Sequence, residues 1–486
     1  GGVVCGAADA DGYGDPATAR EACEAASTEV ADDTDCDDTD ADVSPAETDI
    51  CGDGIDNDCS GDATGCELSG TVDTTAAAAS ITGVGTHEYS GWSSALVDIN
   101  GDGYDDLFSG GPGHSATGAY KAGRIAVMLG PVSGHIDMAS GDAAWVGGDA
   151  HDFIGRTMEP AGDVDGDGYD DLLIAGLGQD NPGTAYLVYG GTSLATSWAT
   201  AVDARFDHPD NDDRGDAVAG VGDVNGDGYD DFMHGAFYAD HGARDGGVAY
   251  LFFGSSTAFS GTHDSETTAD ATFTGTGSNA WLGYYGNRTM EGGDLDGDGV
   301  SDLAYSDRSS GTGGTQGVFL TYGSASAFTG TLTPADADVE LNPGSGRFGY
   351  CLRLGEDFDG DGYGDLITGD DQANTGAGAV YLLPGGAARW SGTVDPTTTA
   401  TLTISHGTAN ELFGHTVDVG DLDGDGDLDL IGGAFYYTGA AGWAAGAAFI
   451  FEGPISAATL ATTDADTVIE GEDDRMYLPS RQLSVG

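Results

Sequence analysis

Basic residues are scarce in this chain. Lys and Arg number 14 among 486 residues, against 83 Asp and Glu, which leaves a formal charge of −69. A surface so poor in cations excludes the phosphate-neutralising patch that nucleic acid or anionic lipid demands. Long apolar runs are missing too: none approaches the roughly 20 residues of a membrane-spanning helix, so direct membrane insertion is not expected. Long helical patterns are absent. There is neither an initiator Met nor a signal peptide, so Gly1 reads as a processed start or a fragment boundary. Enzyme signatures such as H-E-x-x-H and G-x-S-x-G do not occur, and His87, His151, His208 and His406 are scattered. His234 reads as a packed strand residue, and the "RGD" at Arg214–Asp216 falls on a turn position with a structural role. The chain is not expected to be an enzyme.

Cysteine is nearly confined to the front. Cys5, Cys23, Cys36, Cys51, Cys59 and Cys66 precede residue 67, and an even cluster in a short polar segment predicts disulfides and an oxidising compartment. The pairing is left open. Cys351 stands alone in an apolar strand pattern and reads as a small buried hydrophobe.

What is abundant is glycine, 85 residues, set between short β-type runs such as "RIAVMLG", "AYLVYG" and "AYLFFG". This predicts an all-β fold. An acidic decapeptide recurs: "DINGDGYDDL" from Asp98, "DVDGDGYDDL" from Asp163, "DVNGDGYDDF" from Asp223, "DLDGDGVSDL" from Asp294, "DFDGDGYGDL" from Asp357 and "DLDGDGDLDL" from Asp421. Successive starts lie 65, 60, 71, 63 and 64 residues apart, a repeat architecture. Each period reads as an apolar-Gly element, the acidic loop, a strand ending in small residues, a Gly-rich turn, a strong β run and a weaker strand. Four short antiparallel strands per unit, stacked around an axis, make a β-propeller.

Each acidic loop reads D-x-[DN]-x-D-G-x-x-D. Side-chain oxygens fall at positions 1, 3, 5 and 9, and the carbonyl of position 7 can turn inward. The candidate ligands are Asp98, Asn100, Asp102, Tyr104 and Asp106; Asp163, Asp165, Asp167, Tyr169 and Asp171; Asp223, Asn225, Asp227, Tyr229 and Asp231. The later loops supply Asp294, Asp296, Asp298, Val300 and Asp302; Asp357, Asp359, Asp361, Tyr363 and Asp365; Asp421, Asp423, Asp425, Asp427 and Asp429. Calcium takes six to eight oxygens at about 2.3–2.6 Å in flexible geometry, whereas magnesium wants stricter octahedral order. Zinc and copper favour His or Cys, which these loops lack. Six Ca²⁺ sites are therefore expected. Six dications add +12 to −69, so much acidity remains for a solvated, salt-tolerant surface.

These units resemble FG-GAP repeats, which build the seven-bladed β-propeller head of integrin α subunits. The resemblance covers about residues 71–486, with the Pro of the GAP element often replaced, as in "GAF" at Gly235–Phe237. It implies a seven-bladed propeller whose last blade is incomplete here. On that expectation the segment from Asp473 to Gly486 begins a seventh first strand, Ala76–Gly83 is that blade's fourth strand lying beside Leu478–Gly486, and the native protein continues past Gly486.

Residues 1–68 stand outside the period as a small metal-binding module. "DADGYGD" is similar to a degenerate calcium loop, with Asp9, Asp11, Tyr13 and Asp15 as candidate ligands. The stretch from Asp32 to Asp62 resembles the MopE-type metal-binding motif of bacterial surface proteins, with Asp33, Asp35, Asp37, Asp56 and Asp58 as candidates and the metal open between calcium and copper.

Because each acidic loop joins the first and second strands, the second-to-third connections lie at the opposite end. They carry Tyr120, Tyr238, Arg244, Tyr437 and Trp443, residue types suited to recognising a protein or glycan. The expected protein is a secreted or cell-surface, calcium-stabilised adhesion or binding propeller, bacterial in setting. The alternatives are a structural subunit of a surface layer or appendage and a propeller-type polysaccharide lyase or hydrolase.

Overall fold

In the computed structural model of the chain, the residues described are 2–6, 15–22, 29–30, 70–73, 77, 79–177, 183–208, 217–284, 288–307, 317–326, 328–343, 347–423, 425–440 and 442–471. They fall into two compact units: Gly1–Gly70 with Gly420–Asp429 and Glu452–Pro454, and Thr71–Val419 with Leu430–Phe451 and Ile455–Gly486.

In the first unit, Gly2–Gly6 is the central strand of a three-stranded sheet, flanked by Asp15–Ala22 and Glu29–Val30. Asp15, expected as the last ligand of a degenerate calcium loop, opens the second strand and pairs with Gly6. Asp9, Asp11, Tyr13, Asp33, Asp35, Asp37, Asp56 and Asp58 lie outside the described residues, as do Cys23, Cys36, Cys51, Cys59 and Cys66. Cys5 lies in the central strand, opposite Val30. Among side chains that are described there is no disulfide, and Cys351 is free and buried.

Among the described residues six blades are formed, not the expected seven. The first has strands Ser94–Val97, Asp106–Gly111, Arg124–Met128 and Ala143–Val146. The second has Thr157–Gly162, Asp171–Gly176, Thr184–Val188 and Ala204–Asp207; the third has Ala217–Gly222, Asp231–Ala236, Val248–Phe252 and Ala271–Thr274. The fourth has Met290–Gly293, Asp302–Asp307, Gly317–Thr321 and Val339–Leu341; the fifth has Phe348–Leu354, Leu366–Asp370, Ala379–Leu383 and Leu402–Ser405. The sixth has Phe413–Gly420, Asp429–Ala434, Ala447–Phe451 and Thr467–Glu470.

A fifth strand, absent from the sequence reading, runs parallel to the outer edge of most blades. It is lent by the third-to-fourth connection of the following blade: Gly261–Asp264 on blade two, Gly330–Leu332 on blade three, Gly392–Val394 on blade four and Thr459–Ala461 on blade five. Each exposed row of backbone donors and acceptors is thus paired. Leu478–Gly486, beside which Ala76–Gly83 was expected, lies outside the described residues. Ala79–Thr82 pairs in parallel with Gly134–Asp137 of the first period, and Gly70–Asp73 adds to the outer strand of blade six. Residues 472–486 lie outside the described residues.

The core is sandwiched between blades. Phe108, Ile125 and Trp145 of blade one pack with Met158, Leu172, Ile174 and Tyr186 of blade two, and similar clusters join the next pairs through blade five. Inner strands are buried on both faces, so they read as continuous apolar runs instead of alternating ones. Close approach needs glycine: a Cβ on Gly110 would sit 2.1 Å from the Gly155 carbonyl oxygen, where the next blade's apolar-Gly element turns with φ +77°.

Candidate metal loops and the opposite rim

Each acidic loop joins the first and second strands of a blade and is built by its own carboxylates. Asp163 Oδ1 accepts from the N–H groups of Gly166 (2.8 Å) and Asp167 (3.0 Å), and its Oδ2 accepts from Gly168 N (2.9 Å). Asp223 and Asp294 repeat that set of three, while Asp98 and Asp357 each accept from positions five and six. Asp421 accepts from Gly426 N at 3.0 Å. The turn requires left-handed backbone at positions 4 and 6, as at Gly166 (φ +75°) and Gly168 (φ +93°).

The ninth-position carboxylate does more than the sequence suggested. Asp171 is fully buried and accepts from Val164 N (2.9 Å) and Gly190 N (2.8 Å), clasping the loop to the exit of the third strand. Asp231, Asp302, Asp365 and Asp429 make the equivalent pair of bonds. In the first loop Asp106 accepts from Gly130 N and from the Asn100 amide. Burial pushes the Asp171 and Asp231 carboxyls up to about 8, against the pull of these donors, with neighbouring loop carboxylates adding to the rise. Asp302 rises to about 7 and Asp365 to about 6 for the same first cause. Asp165, Asp359 and Asp423 are also raised, by burial and by their acidic neighbours. A dication among these groups would offset the repulsion.

The loops offer donor sets that fit such an ion. Ligand atoms of Asp163, Asp165 and Asp171 lie within 4.8 Å of one another, as do those of Asp294, Asp296 and Asp302, of Asp357, Asp359 and Asp361, and of Asp421, Asp423 and Asp425. The first and third loops carry Asn100 and Asn225 at position 3 and so bring a neutral amide to that place. Asp102, Asp167, Asp227, Asp298 and Asp425 at position 5 each accept from the N–H of position 7.

Position 7 has a second role that spacing alone did not show. Its side chain packs on the position-4 glycine of the preceding loop: a Cβ on Gly101 would lie 2.6 Å from Tyr169, on Gly166 2.5 Å from Tyr229, on Gly297 2.7 Å from Tyr363, and on Gly226 3.2 Å from Val300. Backbone bonds follow the same path, from Asp230 N to Asp163 O (3.1 Å), Ser301 N to Asp223 O (2.9 Å) and Gly364 N to Asp294 O (3.1 Å). The first five loops are therefore linked one to the next. Tyr104, in the first, stays 58% exposed.

At the other end of the strands lie the second-to-third connections. Tyr120 is 60% exposed, Trp443 53% and Tyr238 36%. Arg244 is exposed and faces Asp245 at 3.4 Å. Tyr437 is half-buried, its hydroxyl donating to Glu470 at 3.3 Å. Lys121 lies over Tyr120 and Phe153, Tyr238 meets Trp281 edge-on, and Trp443 stacks on Tyr436 at 6.0 Å. Phe153, Trp281 and Tyr436 were not singled out in the sequence, although each follows or precedes a recognisable turn. Arg214–Asp216 lies outside the described residues. His234 is buried in its strand, with Nδ1 3.1 Å from Ser265 Oγ.

A third feature was invisible to the repeat pattern. The first strands surround a cavity of about 250 Å³ whose wall includes Glu159, Arg288, Glu291, Arg353 and Glu356. Arg288 bonds Glu159 at 3.2 Å, and Arg353 Nε bonds Asp418 at 2.6 Å. Burial pushes Glu159 up to about 7 even though Arg288 pulls it down.

Family comparison agrees with these repeats. The FG-GAP repeat family matches residues 90–128 and 348–383, and the MopE copper-binding family's metal-binding motif matches residues 35–63. Integrin alpha-V of Gallus gallus is 30% identical over 217 residues, 40% of this chain and 20% of that protein. Integrin alpha-PS2 of Drosophila melanogaster is 32% identical over 182 residues (35% and 12%), and Integrin alpha-IIb of Homo sapiens 30% over 159 residues (31% and 15%). The matched region spans a fifth or less of the length of these curated relatives. The chain therefore carries FG-GAP repeats at two places in a propeller of six described sheets, is similar over part of its length to integrin α proteins, and has a MopE-type metal-binding motif ahead of those sheets.

Proposed function

We propose that this chain is a calcium-stabilised adhesion propeller, secreted or held at a cell surface, that takes a protein or glycan ligand on the rim opposite its acidic loops. The observation that carries the reading is the asymmetry of the two ends. One end has loops whose mutually repelling carboxylates converge as hard-oxygen donors. The other presents Tyr120, Tyr238 and Trp443 partly or largely in solvent, the residue types that dominate recognition energetics. In the acidic loops, positions 1, 3, 5 and 9 would hold Ca²⁺ through side-chain oxygens, and position 7 through its carbonyl. The ion would supply only charge and rigidity; ligand contact belongs to the aromatic rim. Similarity to integrin α proteins supports a cell-surface setting and a protein ligand.

The test has two arms. Calcium should raise the melting temperature of chelator-treated protein and magnesium should do so less, because the ion binds only the folded loops. A glycan and extracellular-protein array probed with and without calcium should yield a ligand whose binding falls at least tenfold in Trp443→Ala or Tyr120→Ala. No shift with calcium removes the metal reading; a ligand whose binding ignores every rim substitution removes the rim.

A further inference from the structure

Asp296 and Asp298 of the fourth loop already have a cation. Arg389 lies in the connection that follows the third strand of blade five and reaches back to blade four. Its Nε donates to Asp296 Oδ2, and its Nη2 donates to Asp298 Oδ2 at 2.7 Å. The guanidinium rests 4.7 Å over the Tyr322 ring. Tyr322 is held in turn, because its hydroxyl accepts from Trp390 N at 2.8 Å. Asp296 is almost wholly buried beneath the arginine, its side chain only 4% exposed.

The framework around Arg389 is a repeated one, and the arginine is the departure from it. In blade three the N–H of Phe259 donates to the Tyr189 hydroxyl at 2.7 Å, as Trp390 does to Tyr322. The residue before Phe259 is Ala258, and the residue before Phe328 is Ala327; only before Trp390 does an arginine stand. Its planar fork can span two carboxylates. Those carboxylates are the position-3 and position-5 oxygens that a calcium ion in this loop would need.

We propose that Arg389 is the resident cation of the fourth loop: its guanidinium takes the place that a divalent ion takes in the other loops, and the fourth loop binds no calcium while Arg389 is there. This rests on the calcium reading of the other loops. It makes the fourth loop a metal-independent member of the series, held closed in calcium-poor surroundings where its neighbours loosen.

The experiment counts ions on the full chain by equilibrium dialysis with radioactive calcium. Arg389→Ala, which restores the residue of blades three and four, should bind one ion more than the wild type. Asp298→Asn should leave the wild-type count unchanged and should remove the extra ion from the Arg389→Ala background. An equal count in wild type and Arg389→Ala overturns the proposal, as does loss of one ion from wild type by Asp298→Asn. Should the wild type bind no calcium at all, the metal reading fails by itself and the arginine is judged in chelator alone. There Arg389→Ala should melt below wild type, because Asp296 and Asp298 have lost the guanidinium that pairs them, and equal melting overturns the proposal.

Discussion

Replacing Asp171 by Ala separates two roles of the same carboxylate. Its oxygens accept from two backbone N–H groups, Val164 N at 2.9 Å and Gly190 N at 2.8 Å, and the side chain is wholly buried. Alanine leaves both donors orphaned where water cannot reach them easily, at about 1–3 kcal/mol each. The loss should therefore total roughly 2–6 kcal/mol, and it should be present in chelator, before any ion is considered. Asp167 is the control. It accepts only the exposed Tyr169 N at 3.1 Å, which water can replace, so Asp167→Ala should cost about 0.5 kcal/mol or less in chelator. Asp171→Asn keeps one acceptor oxygen and should fall between. Urea unfolding followed by tryptophan fluorescence, in chelator and then in calcium, reads all three. In calcium the Asp167→Ala deficit should grow, since a ligand has gone. Equal losses for Asp171→Ala and Asp167→Ala in chelator would refute the claim that the ninth position clasps the fold independently of metal.

Three further outcomes are expected. Gly101→Ala should destabilise by about 1–3 kcal/mol, because φ there is +72° and the new Cβ would meet the Tyr169 ring at 2.6 Å, whereas Gly148→Ala, with open space around it, should be nearly neutral in the same urea titration. Glu159 has a folded pKa raised from 4.5 to about 7, so the folded state holds its proton more tightly than the unfolded chain. Its contribution is full below about 4.5 and is lost as pH rises towards about 7; Glu159→Gln should flatten that part of the stability–pH curve, and an unchanged slope would contradict the assignment. Cys351 is fully buried, with burial pushing its thiol far up and Sγ facing Gly414 O at 3.3 Å, so Cys351→Ala should not change the number of thiols that react in the native protein but should lower it by one in denaturant.

The repeats, the all-β class and the acidic loops were legible in the sequence because each is written locally. A D-x-[DN]-x-D-G turn needs its oxygens and glycines within nine residues, and strands buried on both faces need unbroken apolar runs. Blade number was not legible in that way. It depends on which short strands pair across the join, and Gly70–Asp73 and Ala79–Thr82 found partners in blade six and in the first period where a seventh sheet had been expected. The lent fifth strands left a trace, a Gly-Thr pair at 261, 330 and 392, but nothing local says that Gly261–Asp264 will pair with the blade before it. The same holds for Tyr169 against Gly101, for Arg389 over Asp296 and for Arg288 against Glu159, 129 residues apart. Local chemistry settles what a loop can hold; only the stacking of one blade on the next decides which charges end up facing each other.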